Sequence, residues 1–349
     1  MLHIAPKRLG FTALLFTMTF VAAAQDFSNP GSYMSYISTR MALVNQTYMN
    51  YLSAASHGKS VRKVDKLREK AINTIFNARM EVQGMPPLKK DKTLKDAMVN
   101  YLKTCYIVFN EDYSKIVNME EIAEQSYDAM EAYLLAQEKA GEKLDEAARK
   151  CSVVEKEFAA THQVNLIEQT DKLDLKMEKS NAVNKYYNKM YLLFFKTYKQ
   201  EAYVTLAINN MDVNGLEQNR NALIQNATAG LEALNSMEAF DGDNSLLNTC
   251  KKVQEFYKQL AESRMETSTN FLMLNDNFKK IKKAFDAKPA SKRTQADTDA
   301  FNNAVNEINK ASENFNKSNK KVDKERNEII EEWNKAVKRF MDKHMPYAK

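Results

Sequence analysis

Residues His57-Gly58-Lys59-Ser60 end on the Gly-Lys-Ser triplet with which phosphate-binding loops close. Such a loop needs another glycine five residues before its Gly-Lys pair, so that backbone amides can wrap the phosphates, and it follows a buried strand. Position 53 is serine, and the residues ahead of it, Ile37, Met41, Val44, Tyr48, Tyr51 and Ala55, recur at steps of three or four like one face of a helix. The stretch therefore reads as a corner between helices, with Gly58 at the turn and Ser60 capping the next helix.

Other chemistries find little to stand on. Past the first 24 residues the histidines are His57, His162 and His344, far apart and in no His-Glu-x-x-His arrangement. The Glu-x-x-His pairs of a di-iron bundle, a Cys-x-x-Cys-His haem site and a Gly-x-Ser-x-Gly elbow are all missing. Cys105, Cys151 and Cys250 permit at most one internal disulfide, and none has a histidine nearby in sequence. They read as partly buried thiols serving as small hydrophobes. No catalytic residue, metal ligand or cofactor is expected.

The richest charged feature follows the corner. Lys59, Arg62, Lys63, Lys66 and Lys70, with Arg68 among them, make the second helix strongly basic. Two readings compete. The acids Glu111, Asp112, Glu120, Glu121, Glu124, Asp128 and Glu131 of the third helix balance them across a bundle, or Lys59, Arg62, Lys63, Lys66 and Lys70 form a face for an anionic partner such as a headgroup, a glycan or an acidic protein. The aromatic residues Tyr101, Tyr106, Phe109, Tyr113, Tyr127 and Tyr133, and the group Tyr187, Tyr191, Phe194 and Phe195, read first as core and second as the lining of an interhelical groove.

The elements that would position these residues are helices. Glycine and proline number only eight and six in 349 residues, and they punctuate long apolar patterns of helical period. Phe301, Ile308, Phe315, Val322 and Ile329 keep a seven-residue stride, as in a coiled-coil seam. Residues 1–24 look like a cleaved secretory signal, with Lys7 and Arg8 before an apolar run from Phe11 to Val21 and Ala22-Ala23-Ala24 at the cleavage positions. No cysteine follows them, so no lipid anchor is indicated. No later run is apolar enough to span a bilayer. Removing the signal lowers the net charge from +6 to +4, a mild surplus that does not suggest a nucleic-acid partner.

Shifted by 152 residues, the chain matches itself without gaps. Arg68 falls on Arg220, Ile72 on Ile224, Met85 on Met237, and Asp91-Lys92-Thr93-Leu94 on Asp243-Asn244-Ser245-Leu246. The expected fold is all-α: two tandem, duplicated four-helix units, 25–178 and 179–349, with long coiled-coil-like antiparallel hairpins. The helices are expected near 32–57, 60–83, 91–140 and 143–175, then near 183–210, 213–238, 244–287 and 296–343. Asn118 and Glu121 offer a possible break in the third. The long pairs should outrun the short ones by roughly 30 Å at 1.5 Å per residue, leaving exposed tips around Gly141 and Pro289, and a nearly continuous helix would join the units between Gly141 and Gly215.

The blocks His57–Asp65, Asn110–Asp128 and Ala284-Phe-Asp-Ala-Lys288 resemble an uncharacterised family of surface proteins found in Bacteroidetes and Leptospira. The resemblance, through most of the chain after the signal, implies a bacterial source, a helical fold and an envelope or surface location. It carries no activity and no site residues. The expectation is a non-enzymatic exported helical bundle, periplasmic, cell-surface or secreted, that interacts with a protein or envelope component or plays a structural part. The alternative is an exported bundle that binds a small apolar or anionic ligand.

Overall fold

The computed structural model describes residues 26–112, 123–166 and 172–348. Residues 1–24, read as a signal, and Asn118 with Glu121, read as a helix break, lie outside them. The described chain is all-helical, with no strand among its described residues. The helices are α1 (Pro30–Ser56), α2 (Val61–Gln83), α3 (Thr93–Ile107), α4 (Tyr127–Thr161), α5 (Lys172–Asn209), α6 (Val213–Asn235), α7 (Ser245–Gln259), α8 (Glu266–Ala287) and α9 (Gln295–His344). Among the described residues no helix is long and apolar enough to cross a membrane.

Side-chain oxygens start several of these helices. Asn29 accepts from the Ser32 amide at 3.0 Å ahead of Pro30, Ser126 accepts from Ala129, and Asp212 accepts from Gly215 at 2.9 Å. Thr294 and Asp297 form a reciprocal capping box at the head of α9. Ser60 does hold the cap position of α2, but its side chain makes no capping bond, contrary to the sequence reading.

Each half packs its helices in chain order. α1 lies on α2, α2 on α3 and α3 on α4; α5 lies on α6 and α6 on α7, while α9 covers both α7 and α8. One apolar core gathers Tyr33, Ile75, Leu94, Leu102 and Phe158, and the other Leu216, Leu223, Leu246, Tyr257 and Phe340. α4 and α1 both contact α5, joining the halves. The chain end adds another contact: the Tyr347 ring stacks on His57 at 3.9 Å, and the Ala348 amide donates to Ser53 Oγ at 3.4 Å.

The 152-residue spacing reappears in the folded chain. α2 and α6, and α3 and α7, have the same limits at that offset, and so do short π-helical segments at 108–112 and 260–264. Bridges pair Leu88 with Asp91 and Phe240 with Asp243. Left-handed backbone falls at Lys89 and Lys90 and again at Asp241 and Gly242. Buried Ala71, Ile75, Ala78 and Val82 correspond to buried Leu223, Ala227, Gly230 and Leu234. Later in each half the spacing widens to 182, where Phe158 corresponds to Phe340 and His162 to His344.

Three expectations about the first half fail. α4 runs unbroken through Gly141, so no hairpin tip lies there; one interior glycine costs only about 1 kcal/mol relative to alanine, too little to break a packed helix. The third helix stops being α-helical at Ile107 instead of reaching 140. The helical run from Gly141 ends at Thr161, where His162 and left-handed Gln163 close it, so no continuous helix reaches Gly215. In the second half the long pair exists. Between Leu272 and Val322 only Ala304 and Ala311 are buried, and α8 and α9 hold each other through stacked Phe285–Phe301 and Phe271–Phe315, 4.6 and 4.7 Å between ring centroids. Pro289 at the tip is exposed.

Candidate functional site

Gly58 adopts φ 63° at the α1–α2 corner, a conformation that favours glycine. The amides around it are already occupied: His57 N–H donates to Ser53 O, and Lys59 N–H to Ala54 O at 3.1 Å. Those bonds close α1 and tie the amides of the corner, from His57 to Lys59, into the helix end. The corner is a helix stop, and its consequence is the direction in which α2 departs.

On α2 the buried residues Ala71, Ile75, Ala78 and Val82 fix one face to the core. Arg62, Lys63, Lys66 and Lys70 fall on the opposite side at steps of three and four, within a stripe about 100° wide and about 12 Å long, and Lys59 precedes them in the corner ahead of the Ser60 cap position. All five are exposed, and none has an ion-pair partner among the described residues. Of the proposed neutralising acids, Glu111, Glu124, Asp128 and Glu131 are exposed, and no bond joins α2 to any of them; Glu120, Glu121 and the side chain of Asp112 lie outside what the structure describes. At the 152-residue spacing the five correspond to Met211, Asn214, Gly215, Gln218 and Ala222, which carry no charge. Arg68, half-buried and off the stripe, corresponds to Arg220, which is tied to Glu217 and to the Ala261 carbonyl.

Sequence reasoning missed two further polar arrangements. The first is a pair of carboxylate–imidazole clasps. Asp91 Oδ2 lies 2.7 Å from His162 Nε2, and Asp243 Oδ2 lies 2.9 Å from His344 Nε2. In each, the other carboxylate oxygen caps the next helix by accepting the Thr93 or Ser245 amide at 2.8 Å. The His162 ring packs on Phe158 and the His344 ring on Phe340. Lys343, with the Ser245 and His344 bonds, holds the Asp243 carboxyl far below the usual range against the opposing effect of burial. At Asp91 burial pushes upward most strongly, but the Thr93 and His162 bonds together still lower it. The aspartates stand in the sequence match at 152 residues; the histidines, 182 residues apart, do not.

The second is a charged cluster in the second half, built around one buried carboxylate. Glu201 of α5 is buried, and Arg326 of α9 donates to it at 2.5 Å and to Asp323 at 2.5 Å. Arg264 pairs with Glu325 beside them. No spacing rule in the sequence announces contacts between residues 125 apart.

The thiols offer no nucleophile. Burial pushes Cys105 and Cys250 up to about 12 and Cys151 to about 11, and all three are free and buried. Among the described residues no three His, Cys, Asp or Glu side chains converge as metal ligands. The aromatic residues behave mainly as core, Phe194 stacking on Trp333 at 4.5 Å and Tyr33 on Phe158 at 5.7 Å. Comparison with protein-family models, curated proteins and solved structures gives no match.

Proposed function

We propose that this chain is a non-enzymatic exported helical-bundle protein of a bacterial envelope or surface, and that it docks an anionic envelope component through the solvent face of α2. The observation that carries this is the stripe of Arg62, Lys63, Lys66 and Lys70, with Lys59 ahead of it, exposed and without ion pairs among the described residues. A structural helix has no need of four cations on one side without ion pairs, since their mutual repulsion weakens it; Asp65 and Glu69, the acids of the same helix, pair with none of them. The uncharged counterpart on α6 indicates that the fold does not require them. Export is supported by the pattern of residues 1–24, and the envelope by the surface-protein resemblance.

The framework of this reading is two copies of one four-helix unit, the second carrying a coiled-coil-like α8–α9 extension. Its support is the shared 152-residue spacing of α2, α3, the π segments, the bridges and the buried positions. The later step to 182 matches 30 added residues, a hairpin about 15 residues longer on each arm, or about 22 Å.

The test is binding of the purified protein to isolated envelopes across a salt series. A Lys63→Glu, Lys66→Glu, Lys70→Glu variant should lose at least tenfold in affinity while unfolding at the same denaturant concentration. Binding of the parent that is indifferent to salt, or equal binding of the variant, refutes the docking face.

A further inference from the structure

The Glu201–Arg326 pair borders a cavity of about 70 Å³, partly open to solvent, between α5, the π segment at 260–264, α8 and α9. That is ample for several waters, each needing roughly 10–15 Å³ of such space, or for a molecule of a few heavy atoms. Its wall runs from buried Glu201 and Ser268 out to exposed Thr205, Asn209 and Asp323. The side chains of Asn209, Ser268 and Asn319 line it and make no hydrogen bond to the described residues, and Arg326 Nε is buried without a partner. An unmet buried donor ordinarily costs about 1–3 kcal/mol, so the native state gains whenever something fills these valences.

Packing alone does not demand such a wall. Under the duplication proposed above, on which this comparison rests, Glu201 corresponds to buried Met49, Ala261 to Phe109 and Arg326 to Leu144. There the first half builds the same joint from an edge-on Tyr48–Phe109 pair, 4.9 Å between centroids, beside Val108 and Ala140. An apolar solution to the fold is thus present in the same chain.

We propose that the cavity is a binding site for a small uncharged polyol or the hydroxyl-bearing end of a sugar. The charges disfavour an anion: two guanidiniums, Arg264 and Arg326, face three carboxylates, Glu201, Asp323 and Glu325, so an added carboxylate meets net repulsion, while a cation meets the Arg326 guanidinium. The unused groups call for a ligand that both donates and accepts. A ligand hydroxyl oxygen accepts from Arg326 Nε–H, and its proton goes to an Asn209 or Asn319 amide oxygen; Ser268 serves in either sense.

The experiment titrates isotope-labelled full-length protein with glycerol, acetamide, acetate and methylammonium, following backbone amide shifts. Glycerol should bind saturably in the millimolar range, with shifts confined to residues 201–209, 260–268 and 319–326. Asn319→Leu, which fills the space, should weaken it at least tenfold, and Ser268→Val gives a second test if the first variant is poorly folded. The charge reversals on α2 should leave glycerol binding unchanged, so failure here and failure of the docking face are distinguishable. The proposal is overturned if glycerol shifts do not saturate, if both cavity variants bind as the parent does, or if acetamide or either ion binds as tightly as glycerol.

Discussion

Replacing Asp243 by alanine removes one carboxylate that serves three partners. Oδ1 accepts the Ser245 amide at 2.8 Å, and Oδ2 meets Lys343 Nζ at 2.7 Å and His344 Nε2 at 2.9 Å. The side chains of Asp243 and His344 are only 9% and 7% exposed, so water cannot readily replace the carboxylate on the imidazole or on the α7 amide; Lys343, 63% exposed, is resolvated at little cost. Hydrogen bonds to a charged group contribute roughly 1.5–3 kcal/mol, and a lost cap about 1. A loss of about 3 kcal/mol follows for Asp243→Ala, and about 2 for Asp91→Ala, whose carboxylate is 21% exposed. Urea unfolding followed by circular dichroism measures both. The pH dependence carries its own sign. The folded Asp243 carboxyl titrates below its unfolded value of about 3.9, so its contribution is complete above that value and is lost as pH falls through the folded one. The gap between parent and variant should therefore hold from pH 7 to about 5 and shrink below about 4. A loss under about 1 kcal/mol at pH 7, or a gap unchanged at pH 3, would show that the clasp does not hold α9 to the α6–α7 corner.

Other substitutions probe separate parts of the fold. Phe340→Ala empties a fully buried site between Tyr186, Phe240 and His344 and should cost about 3–5 kcal/mol by the same assay. Glu201→Met leaves Arg326 only Asp323 and should destabilise by about 1.5–3 kcal/mol, whereas Glu201→Met with Arg326→Leu should recover part of that loss in a double-mutant cycle. Gly215→Ala places a methyl 2.3 Å from Asp212 Oδ2, displacing the α6 cap at a cost of about 1 kcal/mol in the unfolding midpoint. Tyr347→Ala removes the ring stacked on His57; amide exchange at the end of α1 should quicken while the α7 core stays protected.

Much of the architecture was legible because it is local. The apolar steps from Ile37 to Ala55 and the scarcity of glycine and proline set the helical class, and Gly58 marked a real helix stop. The α2 stripe was also legible, since four cations at helical spacing lie on one face wherever the helix sits. Gly141 misled for the opposite reason: a glycine limits a helix only if nothing holds the helix on both sides, and there packing holds it. Ser60 shows a smaller failure of the same sort, occupying the cap position while making no capping bond.

The sequence by itself determined periodicity, helices opening near 32, 213 and 296, the basic face of α2, and the 152-residue match. These follow from neighbours a few residues apart, or from comparing the chain with itself. Tertiary structure decided which polar residues meet: Asp91 with His162, Asp243 with His344, and Glu201 with Arg326, separated by 71, 101 and 125 residues. It also decided that the basic stripe keeps its charges unpaired among the described residues. A contact across such distances depends on the rotation and register of packed helices, which no local pattern contains, and those contacts form the clasps and the one polar cavity described above.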